Sequence, residues 1–500
     1  MPKTSLLKSI ATVTGFSVLT RTLAFLFKIY LSRALGAETL GLYQTAITVF
    51  FLFIAFSTGG ISTVLSRKIA ELNATASGDK GLKLLSASLA LGLGASFICL
   101  LVAYSILPYA TFLIPDERTI PILKIMLPAL VSTTFYIIIR GWFWGNKLFL
   151  DFSLSEFVEE VLRIILTFLF VSGVISGTSG ETGVAIAFLA SDVLVMIIIV
   201  FTFLKRGGRF VKIDGFKEVL KPATPLTIMK IFGSLVGVAV TLIVPAGLIA
   251  SGMTTAETTA NVGRISGMAN PLLFAPNALI SSLAIVLIPE MSESNAKSDT
   301  LSLSKQISSG ITASLVVSGG FMVVYLALGR ELTAFLYGDV PSGIYLEKAS
   351  VLLLLTPINH ILASSMNSVG KEKENFITYL VGGTLMLLSS VIAPRYLGLD
   401  GVIVSELLFT LVVVIGNSYF LKKQIKRSLG IPKSLVSVAI LTISCSLLAH
   451  FIHGITARIN GVFALIFSSA IAFMIYFAVA CLLGIFDLKL LVKNKKSTAL

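Results

Sequence analysis

Apolar runs of about 20 residues recur from one end of the chain to the other, each closed by a short polar connection. A run of that length is a transmembrane-helix candidate. Fourteen stand out: 10–31, 42–65, 84–108, 119–139, 158–176, 182–204, 222–246, 267–289, 306–329, 349–366, 376–393, 401–421, 434–453 and 462–485. The connections leave no room for a separate soluble domain. Barrel strands show a weak alternating pattern in place of long apolar runs, and an open sheet would leave backbone groups unpaired in lipid. The pattern therefore predicts an all-α integral membrane protein. Residues 1–8 lead into the first run with no small-residue cleavage site, so this run is expected to be a span and not a removable signal.

Composition agrees with the pattern. Of 500 residues, 55% are hydrophobic and 13% charged, and mean hydropathy is +0.95. Soluble domains carry about 25% charged residues. A soluble enzyme, a disordered chain and a secreted disulfide scaffold are excluded. Cys99, Cys445 and Cys481 lie far apart inside apolar runs, so neither a metal site nor a disulfide framework is expected. No catalytic signature or nucleotide-binding motif is present, so no cofactor and no direct ATP drive are expected.

The net charge of +14 reads as orientation. With the N-terminus placed in the cytoplasm, 27 of the 39 Lys and Arg residues fall on the cytoplasmic side, 7 in outer loops and 5 inside spans. Positive charge concentrates on the cytoplasmic side of membrane proteins, so both termini are expected there. Anionic lipid, not nucleic acid, is the partner such a face attracts.

The basic connection 205–221 divides the chain between the sixth and seventh runs. Short matches straddle it: Pro128 with Gly141 against Pro357 with Gly370, and Glu71-Leu-Asn-Ala74 against Glu293-Ser-Asn-Ala296. The expected organisation is an N-terminal lobe (1–204), a C-terminal lobe (222–421), a final helix pair (434–485) and a basic tail (486–500). Duplicated halves are typical of alternating-access transporters.

The candidate chemistry lies in ionisable groups within spans. A cation at the bilayer centre costs about 2.5–3.5 kcal/mol on insertion scales and so faces protein or water. Five cations qualify: Arg21, Lys28, Lys124, Arg163 and Lys230. Arg21 is about 16 Å into its span at 1.5 Å per residue. Thr14, Ser17, Arg21 and Lys28 form a polar stripe on an apolar helix. Lys230 follows Pro222 and Pro225 and precedes Pro245, which suggests a broken helix lining a cavity. Arg163 has Glu159 at i−4, the favourable order for a helical ion pair, with Glu156 and Glu160 on the preceding turns, and Lys124 is expected to snorkel. Asp192 and Glu406 are the scarce acids within spans, available to neutralise a cation, Arg21 included, or to bind a coupling ion. Arg21, Lys28 and Lys230, taken as lying on opposite halves, describe a cavity for an anionic head group, since Arg grips phosphate bidentately and Lys adds a point charge.

The stretches Thr14-Gly-Phe-Ser-Val-Leu-Thr-Arg21 through Arg33-Ala-Leu-Gly36 to Gly41-Leu-Tyr43, Gly59-Gly-Ile-Ser62 to Glu71, Arg140-Gly-Trp-Phe-Trp-Gly145 and Ala275-Pro276 to Pro289-Glu290 resemble the multidrug/oligosaccharidyl-lipid/polysaccharide exporter superfamily. Within it they resemble the stage V sporulation protein B group, which is similar to the lipid II flippases. The resemblance implies a bacterial plasma-membrane flippase of two six-helix lobes plus a helix pair, carrying an undecaprenyl-diphosphate-linked sugar. It implies an essential role for Arg21, with Lys28 near a second charged position. Energy would come from Na⁺, H⁺ or membrane potential, and cell-wall polymerases are candidate partners. Two other readings remain: a multidrug antiporter on the same architecture, and a non-transporting scaffold for sugar-polymerising enzymes.

Overall fold

The computed structural model describes residues 3–74, 78–112, 114–172, 180–456 and 461–485. The side chains of residues 3–12 and of Thr14, and the expected basic tail 486–500, lie outside the described residues. Among the described residues regular structure is entirely helical.

The chain forms two compact units. The first is Met1–Ala246 with Met253–Gly263. It holds α1 (Lys3–Thr58), α2 (Ile61–Ala74), α3 (Gly78–Ile106), α4 (Thr119–Met126), α5 (Ala129–Gly145), α6 (Phe149–Val171), α7 (Gly180–Lys205), most of α8 (Phe216–Ala250) and α9 (Thr255–Val262). The second is Gly247–Gly252 with Arg264–Leu500. It holds α10 (Asn270–Leu273), α11 (Asn277–Ala296), α12 (Thr300–Tyr337), α13 (Val340–Ala349), α14 (Thr356–Ser368), α15 (Glu372–Leu397), α16 (Leu399–Ile425), α17 (Ile431–Thr456) and α18 (Gly461–Leu482). The connection 205–221 lies inside the first unit, and α8 packs there as far as Ala246.

Among the described residues, ten helices are long and apolar enough to cross a membrane, or up to twelve when two bent pairs each count as one span. This is a multi-pass membrane protein. Two features separate that count from the fourteen apolar runs. Run 10–31 and most of run 42–65 share one 56-residue helix, α1, kinked at Gly36 (φ 74°, ψ 172°), and α2 continues it in a single candidate span, Gly15–Asn73. Glycine takes that positive φ without a Cβ clash, so the chain changes direction with helix on both sides. The second is α6, which carries Asp151, Glu156, Glu159, Glu160 and Arg163 and is too charged to join the apolar set.

Proline acts differently from place to place. Pro128 sits at the 49° bend between α4 and α5, and Pro276 at the 46° bend before α11. In α8, where a broken helix was expected, Pro222, Pro225 and Pro245 all lie within one continuous helix. A proline removes one backbone donor, and in membrane helices neighbouring groups re-satisfy what is freed.

Close packing depends on small residues. In the first unit a buried apolar cluster joins α2, α3, α5 and α7 through Leu65, Leu85, Ile138, Phe143 and Phe203. Gly141 and Gly145, four residues apart on α5, face α2. A Cβ at Gly141 would lie 2.9 Å from the Ser62 carbonyl oxygen, and one at Gly145 would lie 2.8 Å from that of Ser66. This is the small-xxx-small contact that lets helix backbones approach in lipid. The second unit is built on α12, whose Ile311, Leu315 and Val316 are fully buried.

A side chain at Gly141 or Gly145 meets backbone and cannot be accommodated by a rotamer change. Gly141→Val and Gly145→Val are each expected to destabilise the purified protein by about 1–3 kcal/mol, the usual range for overpacking. Thermal unfolding in detergent reads this directly. Wild-type stability in both variants would rule out the close α2–α5 contact.

Candidate functional site

Four of the cations that the sequence places within spans sort into a paired cluster holding Arg163 and Lys28, a helix cap made by Lys230, and Arg21, for which no partner is recorded among the described residues. The cluster centres on Arg163 of α6. Its Nη2 lies 2.5 Å from Glu159 Oε1 and 3.3 Å from Asp192 Oδ1 of α7, and its Nη1 lies 3.6 Å from Glu160 Oε2. Glu159 and Glu160 precede Arg163 by four and three residues, so helical spacing alone brings them to its side. Asp192, with only 5% of its side chain exposed, also accepts a short hydrogen bond from the Thr133 hydroxyl of α5. The guanidinium lies 5.3 Å from the ring centroid of Phe188 on α7, a cation–π contact. A second pair joins α5 to α6, Arg140 to Glu156 at 3.1 Å, with the Arg140 guanidinium over the Phe152 ring at 4.2 Å.

Lys28 joins this cluster, with Glu160 as its charged neighbour. Three acids, Glu159, Glu160 and Asp192, then face two cations, Arg163 and Lys28. Fully ionised, the cluster carries one negative charge in excess.

Lys230 has a structural task. Its Nζ donates to the Gly59 carbonyl at 2.7 Å, while the adjacent Gly60 N–H donates to Thr227 Oγ1 at 2.9 Å. Gly59 and Gly60 are the break between α1 and α2. A helix C-terminus exposes unpaired carbonyls with partial negative charge, and Lys230 caps one of them. Lys230 belongs to the same compact unit as Arg21 and Lys28, whereas the sequence reading put it on the opposite half.

Arg21 differs from all of these. It is exposed on α1, and among the described residues no acid or hydrogen-bond partner is recorded for it. The two acids offered to it by sequence are engaged elsewhere or lie in the other unit. Asp192 serves Arg163. Glu406 is on α16, with the buried Tyr345 hydroxyl of α13 as its electrostatic neighbour.

Outside the spans, Asp116 ties the connection after α3 to α9. It accepts from Thr259 Oγ1 at 2.9 Å and from Arg118 Nη2 at 2.7 Å, and Arg118 also reaches Glu38 at 2.6 Å. Burial pushes the Asp116 carboxyl up, but the hydrogen bonds from Arg118 and Thr259 prevail and hold it below the usual carboxylate range. Among the described residues no group of His, Cys, Asp and Glu is placed to hold a metal ion.

Sequence reasoning did not find Thr133, the pairing of Arg140 with Glu156, or the cap made by Lys230. Glu160, on the turn before Arg163, was legible from the helical spacing. Nothing local announces a cap between residues 171 positions apart.

The family model for polysaccharide biosynthesis proteins matches residues 6–295. The chain is 23% identical over 471 residues to "Stage V sporulation protein B" of Bacillus subtilis (strain 168), covering 89% of this chain and 88% of that protein. Among solved structures it is similar to "Lipid II flippase MurJ, inward closed conformation", with a TM-score of 0.72, 16% identity, and coverage of 93% of this chain and 98% of that one. It is also similar to an inward-facing multidrug-resistance transporter of the MATE family, with a TM-score of 0.69, 18% identity, and coverage of 83% and 96%. The two structural likenesses establish a shared fold.

The charge cluster predicts unequal costs for its members. Removing one partner of a buried ion pair costs about 3–5 kcal/mol, because the other charge is stranded. Arg163→Met is expected to lose stability on that scale, and adding Asp192→Asn is expected to recover part of it. Lys230→Met should lose less, about 1.5–3 kcal/mol, the worth of one hydrogen bond to a charged group. Unfolding of the purified variants measures all three, and an Arg163→Met protein as stable as wild type would dissolve the cluster.

Proposed function

The chain belongs to the polysaccharide biosynthesis protein family, and on that premise we propose that it is a flippase. Its substrate is a polyprenyl-diphosphate-linked sugar, a cell-wall or polysaccharide precursor of the lipid II type, carried across the plasma membrane by alternating access. The protein transports and does not catalyse. In this reading the chain crosses the membrane fourteen times, with α1 counted as two crossings at the Gly36 kink and the charged α6 as one. Both termini are cytoplasmic, and two six-helix lobes are followed by a helix pair.

The observation that carries the reading is Arg21. It is an exposed cation on an apolar helix, and among the described residues no acid or hydrogen-bond partner is recorded for it. A diphosphate supplies the missing counter-charge with bidentate geometry, and the polyprenyl tail stays in lipid. Lys28 is the second contact, weakened by Glu160. Lys230 reaches a ligand only by leaving the Gly59 carbonyl. The excess negative charge among Glu159, Glu160 and Asp192 is the place for a coupling proton or Na⁺. The names of the relatives, a sporulation protein and a lipid II flippase, support this substrate class. Drug antiport fits less well, since α1 offers cations and Asp192 is committed to Arg163.

A hydrogen bond to a charged group is worth about 1.5–3 kcal/mol. Arg21→Ala should therefore lower flipping at least about tenfold in vesicles reconstituted with a polyprenyl-diphosphate sugar, with insertion intact. Arg21→Lys should retain part of the activity. Unchanged flipping in Arg21→Ala would refute the anion-binding role of this residue. Absence of flipping by the wild-type protein in vesicles without partners would favour the scaffold reading.

A further inference from the structure

The second unit contains a cavity of about 480 Å³ that no part of the flipping cycle uses. It lies where the start of α12, the 426–430 connection and the end of α18 meet. Its walls include Ser304, Lys305, Ser308, Ser309, Thr312 and Ser428. Five of these occupy one stripe of α12: 304, 308 and 312 at four-residue spacing, with 305 and 309 beside them. A polar stripe of that length near the end of a membrane helix requires partners, and the structure provides only some.

Two hydroxyls pin α12 in place. Ser304 donates to the Ser428 carbonyl at 3.0 Å, and Thr312 shares a hydrogen bond with Ser434 of α17 at 2.8 Å. Between these two ties stand the Lys305 ammonium and the Ser308 and Ser309 hydroxyls. Among the described residues no hydrogen bond or ion pair is recorded for these three groups. Gly430 keeps the space open: its φ of +65° suits glycine, and a Cβ there would come 3.2 Å from Ser308 Oγ. Gly430 directly precedes α17, a 26-residue helix, and a helix N-terminus carries partial positive charge. Lys422, Lys423, Lys426, Arg427 and Lys433 surround this point in sequence, with no acid from 422 to 434. The nearest acid on α12 is Asp299, which caps the helix by accepting from the Ser302 N–H. Hydroxyls, one ammonium and a helix N-terminus around a cavity are the elements of a phosphate site.

We propose that this cavity binds the phosphate group of an anion, either the head group of an anionic membrane phospholipid or a free phosphate species. Lys305 supplies the charge, and Ser308 and Ser309 supply hydroxyl donors. The site is separate from Arg21, which lies in the other unit. A lipid source places the cavity at the cytoplasmic interface and to that extent rests on the orientation given above. Anion binding itself does not.

The test uses the purified full chain in native mass spectrometry and thermal unfolding. It is titrated separately with phosphatidylglycerol, phosphatidylcholine and inorganic phosphate. One Lys near an anionic surface is worth about 1 kcal/mol, so Lys305→Glu should lower phosphatidylglycerol occupancy at least about fivefold. Ser308→Leu, which fills the cavity without touching the charge, should lower it as well. Arg21→Ala should keep wild-type occupancy while losing flipping, so the two sites fail independently. Lys305-dependent retention of phosphatidylglycerol over phosphatidylcholine assigns the lipid. Lys305-dependent stabilisation by inorganic phosphate, without that lipid preference, assigns the free anion. Binding of phosphatidylglycerol and phosphate that neither Lys305→Glu nor Ser308→Leu alters overturns the proposal.

Discussion

Hydrocarbon offers a charged side chain no partner, so every ion that a membrane helix carries inward must be answered by protein, water or ligand. The first unit is organised by that constraint. Arg163 binds α6 to α7 through Asp192, and Asp192 in turn holds α5 through Thr133. Glu160 extends the same cluster to Lys28 on α1. Four helices are thus joined by one set of charges that none could carry alone. The backbone follows the same rule at the α1–α2 break, where Lys230 and Thr227 of α8 answer the Gly59 carbonyl and the Gly60 N–H.

The helical class and most of the apolar segments were legible from the chain, because their signal is local: run length, charge asymmetry and i+4 spacing. Glu159 and Arg163 lie together for that reason. The count of separate spans was less legible. The polar stretch from Arg33 to Glu38 reads as a loop, yet Gly36 alone makes the turn and the helix continues on both sides. Lys230 shows the limit most clearly. Its depth and its prolines pointed to a cavity wall. Its hydrogen bond goes to a helix end far away in sequence, and only three-dimensional packing reveals that. The partition of α8 was equally hidden, since packing and not hydropathy sets where a compact unit ends.

Glycine and proline have opposite uses in this fold. Gly141 and Gly145 remove side chains so that α2 and α5 can touch, and the gain is dispersion between backbones that lipid would otherwise separate. Prolines remove donors. Pro128 and Pro276 stand at bends, while the three prolines of α8 sit in a helix that continues through them. Proline content alone therefore does not mark a hinge here; the surroundings that re-satisfy the freed carbonyls decide.

The partners found for three other candidate cations, acids for Arg163 and Lys28 and the Gly59 carbonyl for Lys230, give Arg21 its meaning. An arginine with an acid beside it would already be neutralised, and an incoming anion would have to displace that acid. The guanidinium of Arg163 is in such a closed arrangement, held by Glu159, Glu160 and Asp192. Arg21 lies outside it on an exposed face of α1, where its charge is still available. An anion that binds there lowers the cost of holding the guanidinium away from bulk water, and departure of the anion restores that cost. The ligand and the helix would therefore depend on each other for charge balance, which is what the proposed carriage of a diphosphate requires.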